Sequence, residues 1–264
     1  MRVWWSLLLG IALYASAIDE RIIGLIGPRA FEQNRLILNT VFLDIRRYKK
    51  DGFVDMVEVA RILARLGLLP QTLPTPVHQE VRFFSYNNPT LFFRLSEEAL
   101  QEAYIFNYAI TNIQKDEDGV VEAFTFTSAS IPDPVRIGSF LRAHGIKVLD
   151  IRRQEESWHY TLDCSQAVLG VPKVEGRTET AKGKSAIWLD VAGLSSVVIL
   201  AKGGDHWFPK IFVYDRFLHP LQRIERPGPA KRLELTLPNG SYYIKISDRF
   251  TAKNIKNGFV ILPK

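Results

Sequence analysis

The hydrophobic pattern of this sequence changes once, at a segment from Gly170 to Lys184 that is rich in Gly, Pro, Lys, Glu and Thr. Before this segment, apolar residues recur at helical spacing as well as in alternation, whereas after it only short alternating runs remain. A polar segment of this composition is typical of a linker. We therefore predict a linker over 169–184 that separates two regions with cores of their own.

The first 17 residues have the three parts of a secretory signal peptide. Arg2 precedes the apolar run Val3 to Leu13, and Ala15-Ser16-Ala17 has the small-x-small form that signal peptidase accepts. The apolar run is about a dozen residues long, shorter than the ~20 that a transmembrane helix needs. We expect cleavage after Ala17, a periplasmic location and no integral membrane span in the mature chain. Retention of the segment as an anchor is the alternative.

A single cysteine, Cys164, excludes an internal disulfide, so a secreted chain of this length must be held together by hydrophobic cores. Alternation along the predicted strand places Cys164 on the same face as Trp158, Tyr160 and Leu162. These apolar neighbours favour a packed, inert thiol, and a disulfide with another chain is the alternative. The formal net charge of +6 permits an anionic partner but identifies none.

The region 18–76 is predicted to be helical and to end in a connector. Apolar residues recur at helical spacing from Arg29 to Lys50 and from Val54 to Leu66, and Gly67 is placed to end the second helix. The pair predicts an N-terminal helical hairpin. Three prolines within Leu69–Pro76 predict an extended connector and a subdomain boundary.

Region 77–168 contains the order helix, strand, strand twice. Ser96 is predicted to cap the first helix, and Asp133 or Pro134 to begin the second. A preceding strand is placed at Glu80–Phe84 or at Leu91–Arg94. The four strands of the repeat are predicted at Tyr104–Gln114, Val120–Ser128, Ile146–Arg152 and Ser157–Asp163.

This order of elements resembles the periplasmic ferredoxin-like domains of inner-membrane assembly proteins of type II secretion and type IV pilus machines, in which a helical stalk also precedes the domain. The resemblance covers roughly residues 91–165, lies at the level of the fold and involves no sequence motif. It implies a ferredoxin-like αββαββ domain and protein partners in the cell envelope.

Region 185–264 is predicted to be an antiparallel β-sandwich, which makes the whole chain an α+β multidomain protein. The predicted strands are Ala186–Val191, Val197–Ala201, Lys210–Tyr214, Arg232–Leu237, Tyr242–Ser247 and Phe259–Leu262.

A strand that ends in Tyr214-Asp215 and a later Leu-Pro-Asn-Gly-Ser-Tyr-Tyr hairpin, residues 237–243, resemble the pre-peptidase C-terminal type of bacterial secreted β-sandwich. That family is an accessory module of secreted enzymes, and the resemblance implies a role in folding, secretion or substrate contact. Some members bind calcium. Because Pro209 and Lys210 stand where the family tends to carry acids, we expect no calcium site here.

The loop Gly203–Phe208 displays an ionisable pair beside two large aromatic side chains, and loops of this kind often bind ligands. We therefore name Asp205, His206, Trp207 and Phe208 as candidate ligand-binding residues. In the alternative interpretation, Trp207 and Phe208 cap the core of the sandwich.

No familiar catalytic or metal-binding motif occurs in the sequence. Gly-x-Ser-x-Gly, Ser-x-x-Lys and His-Glu-x-x-His are all missing, and the five histidines are scattered. The acidic turn Asp116–Gly119 is interpreted as a solvated hairpin tip. We expect no catalytic residue, no metal and no cofactor, and nucleic acid is not an expected partner.

These observations favour an exported, periplasmic, non-catalytic scaffold or adaptor with protein partners in the cell envelope. Two alternatives remain open. The C-terminal sandwich can bind a glycan or cell-wall polymer, or the chain can be an enzyme with an unrecognised active site.

Overall fold

The computed structural model describes residues 18–50, 52–115, 117–180 and 186–264, so the predicted signal peptide lies outside the described residues. Within these ranges the protein is a mixed α/β structure with six α-helices. Backbone contacts divide it into a first unit that ends at Val168 and a second that begins at Leu169. No helix in the described part of the chain is both long and apolar enough to cross a bilayer.

Short helices fill the beginning of the first unit. They are α1 (residues 18–26), α2 (Pro28–Gln33), α3 (Arg35–Val41), a 3-10 helix (Ile45–Tyr48) and α4 (Met56–Arg65), with the two-residue strands β1 (Lys49–Lys50) and β2 (Phe53–Val54) before α4. The long helix predicted from Arg29 to Lys50 is therefore broken. At Asn34, the side-chain amide donates to Ala30 O at 2.9 Å, and such a local bond competes with regular helix geometry.

Helix α4 has the boundaries that its sequence signals indicate. Asp55 Oδ1 accepts a hydrogen bond from Glu58 N at 2.8 Å and caps the N-terminus. At the other end Gly67 adopts a left-handed φ of 69°, and its N–H donates to Ala64 O as in a Schellman motif. The predicted helix end at Gly67 is present in the structure.

A five-stranded sheet and two helices form the rest of the first unit. The elements are β3 (Thr72–Ser85), α5 (Pro89–Glu102), β4 (Ala109–Lys115), β5 (Val120–Ser130), α6 (Pro134–Ala143), β6 (Lys147–Gln154) and β7 (Ser157–Asp163). The strand order is β4-β5-β3-β7-β6. All neighbours are antiparallel except β3 and β7, which run parallel.

Two predicted boundaries in this unit are wrong. Ser96 lies in the middle of α5 rather than at its start, because Pro89 occupies the first turn, where its fixed φ suits a helix. The predicted strand alternative Leu91–Arg94 therefore lies within α5, and the preceding strand is β3. Pro74 and Pro76 belong to the beginning of β3, where the register shifts between Thr72 and Val77 and a missing N–H is tolerated.

The second half of the repeat follows its turn signals closely. Asp133 Oδ1 accepts from Val135 N and Arg136 N, Gly145 has a φ of 72° after α6, and Glu155 has a φ of 54° in the β6–β7 turn. One face of the sheet packs against the helices. Its largest fully buried side chains are Phe83, Phe124, Trp158 and Tyr160, and Phe92 of α5 is fully buried as well.

The second unit contains two four-stranded antiparallel sheets. The strands are β8 (Thr178–Glu179), β9 (Ile187–Asp190), β10 (Ser196–Ala201), β11 (Pro209–Tyr214), β12 (Pro220–Glu225), β13 (Arg232–Thr236), β14 (Tyr243–Asp248) and β15 (Phe259–Pro263). One sheet has the order β13-β10-β15-β8 and the other β12-β11-β14-β9. Inward-facing side chains of both sheets, among them Ile199, Ile211, Ile246 and Ile261, belong to one buried apolar cluster.

Part of the predicted linker belongs to this unit. Val174 is 2% exposed within the apolar cluster, and β8 pairs with β15. Thr180 Oγ1 accepts a hydrogen bond from Phe259 N at 2.8 Å. Main-chain pairing with β15 attaches this segment to the second unit although it contains few apolar residues. Residues 181–185 of the predicted linker lie outside the described part of the chain.

Candidate functional site

The edge strand β4 is the most exposed strand of the first unit. It pairs with β5 on one side and stands last in the sheet order. Every residue of β4 except Asn112 is exposed. Ile110 is 48% exposed and Ile113 is 60% exposed, which is unusual for large apolar side chains in a strand.

A β-bulge places these two isoleucines on the same face. In a regular strand, positions three apart point to opposite faces. The register shifts between Ile110 and Asn112, so that Ile110 pairs with Phe124 and Ile113 pairs with Glu122. Both partners are buried and belong to the face that packs against α5. The isoleucines therefore extend this face beyond the cover of the helix.

A cleft of about 810 Å³, called here the arginine cleft, opens at the Ala109 end of β4. Its walls come from the end of α4, the loop between α5 and β4, the end of β5 and the start of α6. Four lining residues are charged: Arg61, Arg65, Asp133 and Arg136. The cleft therefore has a net positive lining.

Aromatic side chains stand at the mouth of this cleft. Tyr104 and Phe106 are 68% and 66% exposed, and Tyr104 has a left-handed φ of 63°. The Arg136 guanidinium carbon lies 4.6 Å from the centroid of the Tyr104 ring, and Arg136 Nε lies 3.5 Å from Asp133 Oδ2. Arg61 pairs with Glu58, whereas Arg65 is exposed and has no ion pair within the described residues.

One buried carboxyl group lies directly beside the edge strand. Glu122, on β5 opposite Ile113, is 3% exposed, and burial raises its pKa from 4.5 to about 7. Ser96 Oγ lies within hydrogen-bond distance of Glu122 Oε2 and of Phe93 O. Because Ser96 has one proton, both contacts are satisfied together only when a protonated Glu122 donates to Ser96 Oγ.

The predicted loop in the second unit uses its largest side chain for packing. Trp207 is fully buried, its Nε1 donates to Ser247 O at 2.9 Å, and its ring packs edge-to-face on Phe259 with centroids 4.8 Å apart. A ring in this position does not meet a ligand at the surface. Trp207 therefore packs in the core of the second unit, as the alternative interpretation of this loop predicts.

The other three predicted residues are not gathered into a pocket. Asp205 is 8% exposed and accepts hydrogen bonds from the main-chain N and side-chain Nδ2 of Asn257. Phe208 is half-buried and packs edge-to-face on Phe250 at 5.0 Å. Only His206 is exposed. Ligand binding by this loop stays a prediction.

A row of aromatic and cationic side chains crosses the outer face of the sheet that contains β9, β14, β11 and β12. Register places Trp188, Lys245, Phe212 and Arg223 side by side. Lys245 Nζ lies 5.2 Å from the Trp188 ring centroid, and Arg223 Cζ lies 5.6 Å from that of Phe212. Since cations occupy ring faces that a sugar would stack on, this surface does not favour the glycan-binding alternative.

A serine and a histidine lie side by side on the sheet face away from α5, a pairing that no sequence motif indicates. Ser157 Oγ donates to Glu80 Oε1 at 2.9 Å and lies 3.1 Å from His159 Nε2. The Glu80 carboxylate thus accepts the hydrogen bond of the serine hydroxyl. In a catalytic triad, by contrast, the carboxylate accepts a hydrogen bond from the histidine. Burial lowers the pKa of His159. The geometry does not support hydrolysis through Ser157.

The single thiol has the environment expected from its strand position. Cys164 is free and fully buried, and burial raises its pKa to about 11. A thiol with such a pKa is a poor nucleophile at neutral pH. Within the described ranges, no three His, Cys, Asp or Glu side chains are grouped in a way that could hold a metal ion.

Comparisons with known proteins do not assign this chain to a family. No protein-family model matches the sequence, and no curated protein matches it. Among solved structures, the secreted serine protease VesC from Vibrio cholerae is similar over 60% of this chain and 39% of that chain, with 12% identity and a TM-score of 0.21. At this TM-score neither the fold nor the activity of the protease carries over.

Proposed function

We propose that this protein is an exported, non-catalytic adaptor or scaffold of the cell envelope that binds a protein partner through the β4 edge. The observation that carries the proposal is the exposed edge strand with Ile110 and Ile113 on one face. Soluble proteins ordinarily shield such edges with charged side chains or covering elements, because an open edge recruits other strands. A bulge can also protect an edge, but the bulge in β4 turns Ile110 and Ile113 to one exposed face. An edge left open and apolar suits β-strand addition by a partner.

The arginine cleft supports the same proposal. It continues the line of β4 beyond Ala109 and adds positive charge and two exposed aromatic rings, Tyr104 and Phe106. Aromatic and arginine side chains are enriched at the energetic centres of protein interfaces. A polypeptide that pairs with β4 thereby gains main-chain hydrogen bonds, apolar contact and a charged anchor.

The finer fold assignment is also a proposal. The element order β3-α5-β4-β5-α6-β6-β7 supports a ferredoxin-like domain enlarged by one strand, and two sheets on a shared apolar cluster support a β-sandwich for the second unit. Periplasmic residence rests on the signal-like residues 1–17. N-terminal sequencing of the mature protein would begin at Ile18 if they are cleaved.

Photocrosslinking in cells tests the adaptor function. A photoreactive residue at position 113 is expected to form adducts with an envelope protein. The matched control carries the same photoreactive residue at position 221, where Leu221 is 40% exposed on β12, and is not expected to form these adducts. Adducts absent from position 113, or identical from both positions, would contradict binding through β4.

A further inference from the structure

We propose that the partner on the β4 edge is a second copy of this chain, paired antiparallel through β4, with the acidic hairpin tip of each protomer against the arginine cleft of the other. The acidic tip is defined by Glu117 and Asp118, both exposed, in the β4–β5 turn. This inference rests on the proposed function, because it uses the same strand edge, and it names the occupant.

Strand polarity brings the two charged regions together. The arginine cleft lies at the Ala109 end of β4 and the acidic tip lies just beyond Lys115. In a two-fold symmetric antiparallel pair, each end of β4 lies beside the opposite end of its copy. The cleft of one protomer therefore lies beside the tip of the other, and the contact occurs twice.

The spacing along the strand fits this arrangement. In the register that sets Ile110 opposite Ile113 of the partner subunit, the partner's β4–β5 turn, which carries Glu117, comes beside the loop that precedes β4 and carries Phe106. Phe106 lines the arginine cleft. The partner's Lys115 then falls opposite Tyr108, whose hydroxyl donates to Glu97 Oε1 at 2.6 Å. The partner's acidic turn thus lies beside the arginine cleft, and the partner's Lys115 lies beside the hydrogen bond between Tyr108 and Glu97.

The same register covers the exposed apolar strip. Because the bulge places Ile110 and Ile113 on one face, the four isoleucines of the two protomers adjoin on the faces that carry α5. A two-fold axis perpendicular to the sheet keeps these faces on the same side and joins the two sheets into one. The pairing removes the open edge and buries its largest apolar side chains.

Charge complementarity within one chain favours a second copy over an unrelated peptide. The cleft lining has three arginines and one aspartate, and the tip adjoining β4 is acidic at the spacing that antiparallel self-pairing requires. An unrelated acidic strand would need to match this spacing independently. Binding of such a strand is the competing outcome of the test.

Analytical ultracentrifugation of the pure mature protein with charge-swap variants tests the proposal. The wild type is expected to form dimers in a concentration-dependent manner. The tip variant Glu117→Lys/Asp118→Lys and the cleft variant Arg65→Glu/Arg136→Glu are each expected to weaken dimerisation at least about tenfold, because like charges then face each other. The matched control, Glu155→Lys/Glu156→Lys in the β6–β7 turn, is expected to dimerise as the wild type does.

Mixing the tip and cleft variants gives the decisive result. In the mixed dimer every tip again faces a cleft of opposite charge, so dimers are expected to return, as they are in a chain that carries all four substitutions. Circular dichroism confirms that each variant is folded. Loss of dimers in the single variants without recovery on mixing would overturn the tip–cleft contact.

A wild type that stays monomeric up to about 100 μM would overturn self-pairing altogether. This failure is distinguishable from failure of the adaptor function. A monomer that still crosslinks from position 113 to a different envelope protein refutes the second copy and keeps the adaptor. A monomer that forms no adduct from position 113 refutes both.

Discussion

The two edges of the five-stranded sheet, β4 and β6, differ in almost every physical respect. Asp150 on β6 is 8% exposed, pairs with Arg152 and lies 3.6 Å from Arg21 of α1. The backbone of α1 also approaches β6, since a Cβ added at Gly24 would lie 3.5 Å from Arg153 O. On β4, by contrast, two isoleucines are exposed and only Lys115 is charged.

This difference indicates which edge is available to a partner. A sheet has two edges, and covering one of them with a helix and buried charge is a known way to prevent unwanted pairing. The N-terminal helices provide that cover for β6, whereas β4 has no comparable cover in the described structure. We infer that β4 is open because its pairing contributes to function.

The same substitution on the two edges should give the largest contrast. Ile151→Lys on β6 is expected to lower the free energy of unfolding by about 4 kcal/mol or more, because Ile151 is fully buried and the ammonium group would lose its hydration. Ile113→Lys on β4 is expected to change it by less than about 0.5 kcal/mol, since the side chain is 60% exposed. Urea denaturation measures both.

A strong loss of stability in Ile113→Lys would mean that Ile113 serves the fold rather than a partner. Retained dimerisation in the same variant would separately contradict self-pairing through β4.

In the first unit, the sequence predicts the individual helices and strands better than it predicts which strands lie next to each other in the sheet. Asp133, Gly145 and the β6–β7 turn carry local signals, and α6, β6 and β7 follow them. Strand order carries no local signal: the parallel β3–β7 pair, and hence the position of β4 at an edge, depends on contacts between distant residues. The bulge that brings Ile110 and Ile113 to one face is likewise invisible to a period-two pattern.

In the second unit, the burial of Trp207 has a physical reason that the sequence does not show. Trp207 follows two glycines, which suggests a displayed loop, yet its indole reaches Ser247 O across the sheet and completes the core. Strand β12 was missed because only alternate residues in Pro220–Glu225 are even half-buried, as expected of an edge strand. The burial of Trp207 and the existence of strand β12 both depend on contacts with neighbouring strands, which the local composition does not show.

The stability of the open edge should depend on pH through Glu122. Its pKa is about 7 in the folded chain and near 4.5 when unfolded, so the folded chain holds a proton that the unfolded chain releases between these values. The free energy of unfolding is therefore expected to fall as pH rises through this window, by about 3 kcal/mol in total. Glu122→Gln should remove this fall and be the more stable protein at pH 8.

Chemical denaturation from pH 4 to pH 8 measures this effect, with Glu97→Gln, an exposed carboxylate on α5, as the control. Identical pH profiles for the wild type and Glu122→Gln would contradict the assignment of the proton to Glu122.

A smaller effect is expected at the covered edge. Arg21→Ala should lower the free energy of unfolding by about 1 kcal/mol and speed amide exchange in α1 and β6, because Arg21 is partly buried beside Asp150. Arg35→Ala, which removes a well-exposed pair with Glu32, is the control and should change little. Equal effects of the two substitutions would show that the Arg21 pair does not fasten α1 to β6.

Hydrogen–deuterium exchange of the pure protein at low and at high concentration measures pairing through β4 itself. Exchange in β4, residues 109–115, is expected to slow as concentration rises, while exchange in β6, residues 147–154, is expected to stay constant. Exchange in β4 that is independent of concentration, in a preparation that forms dimers, would contradict pairing through this edge.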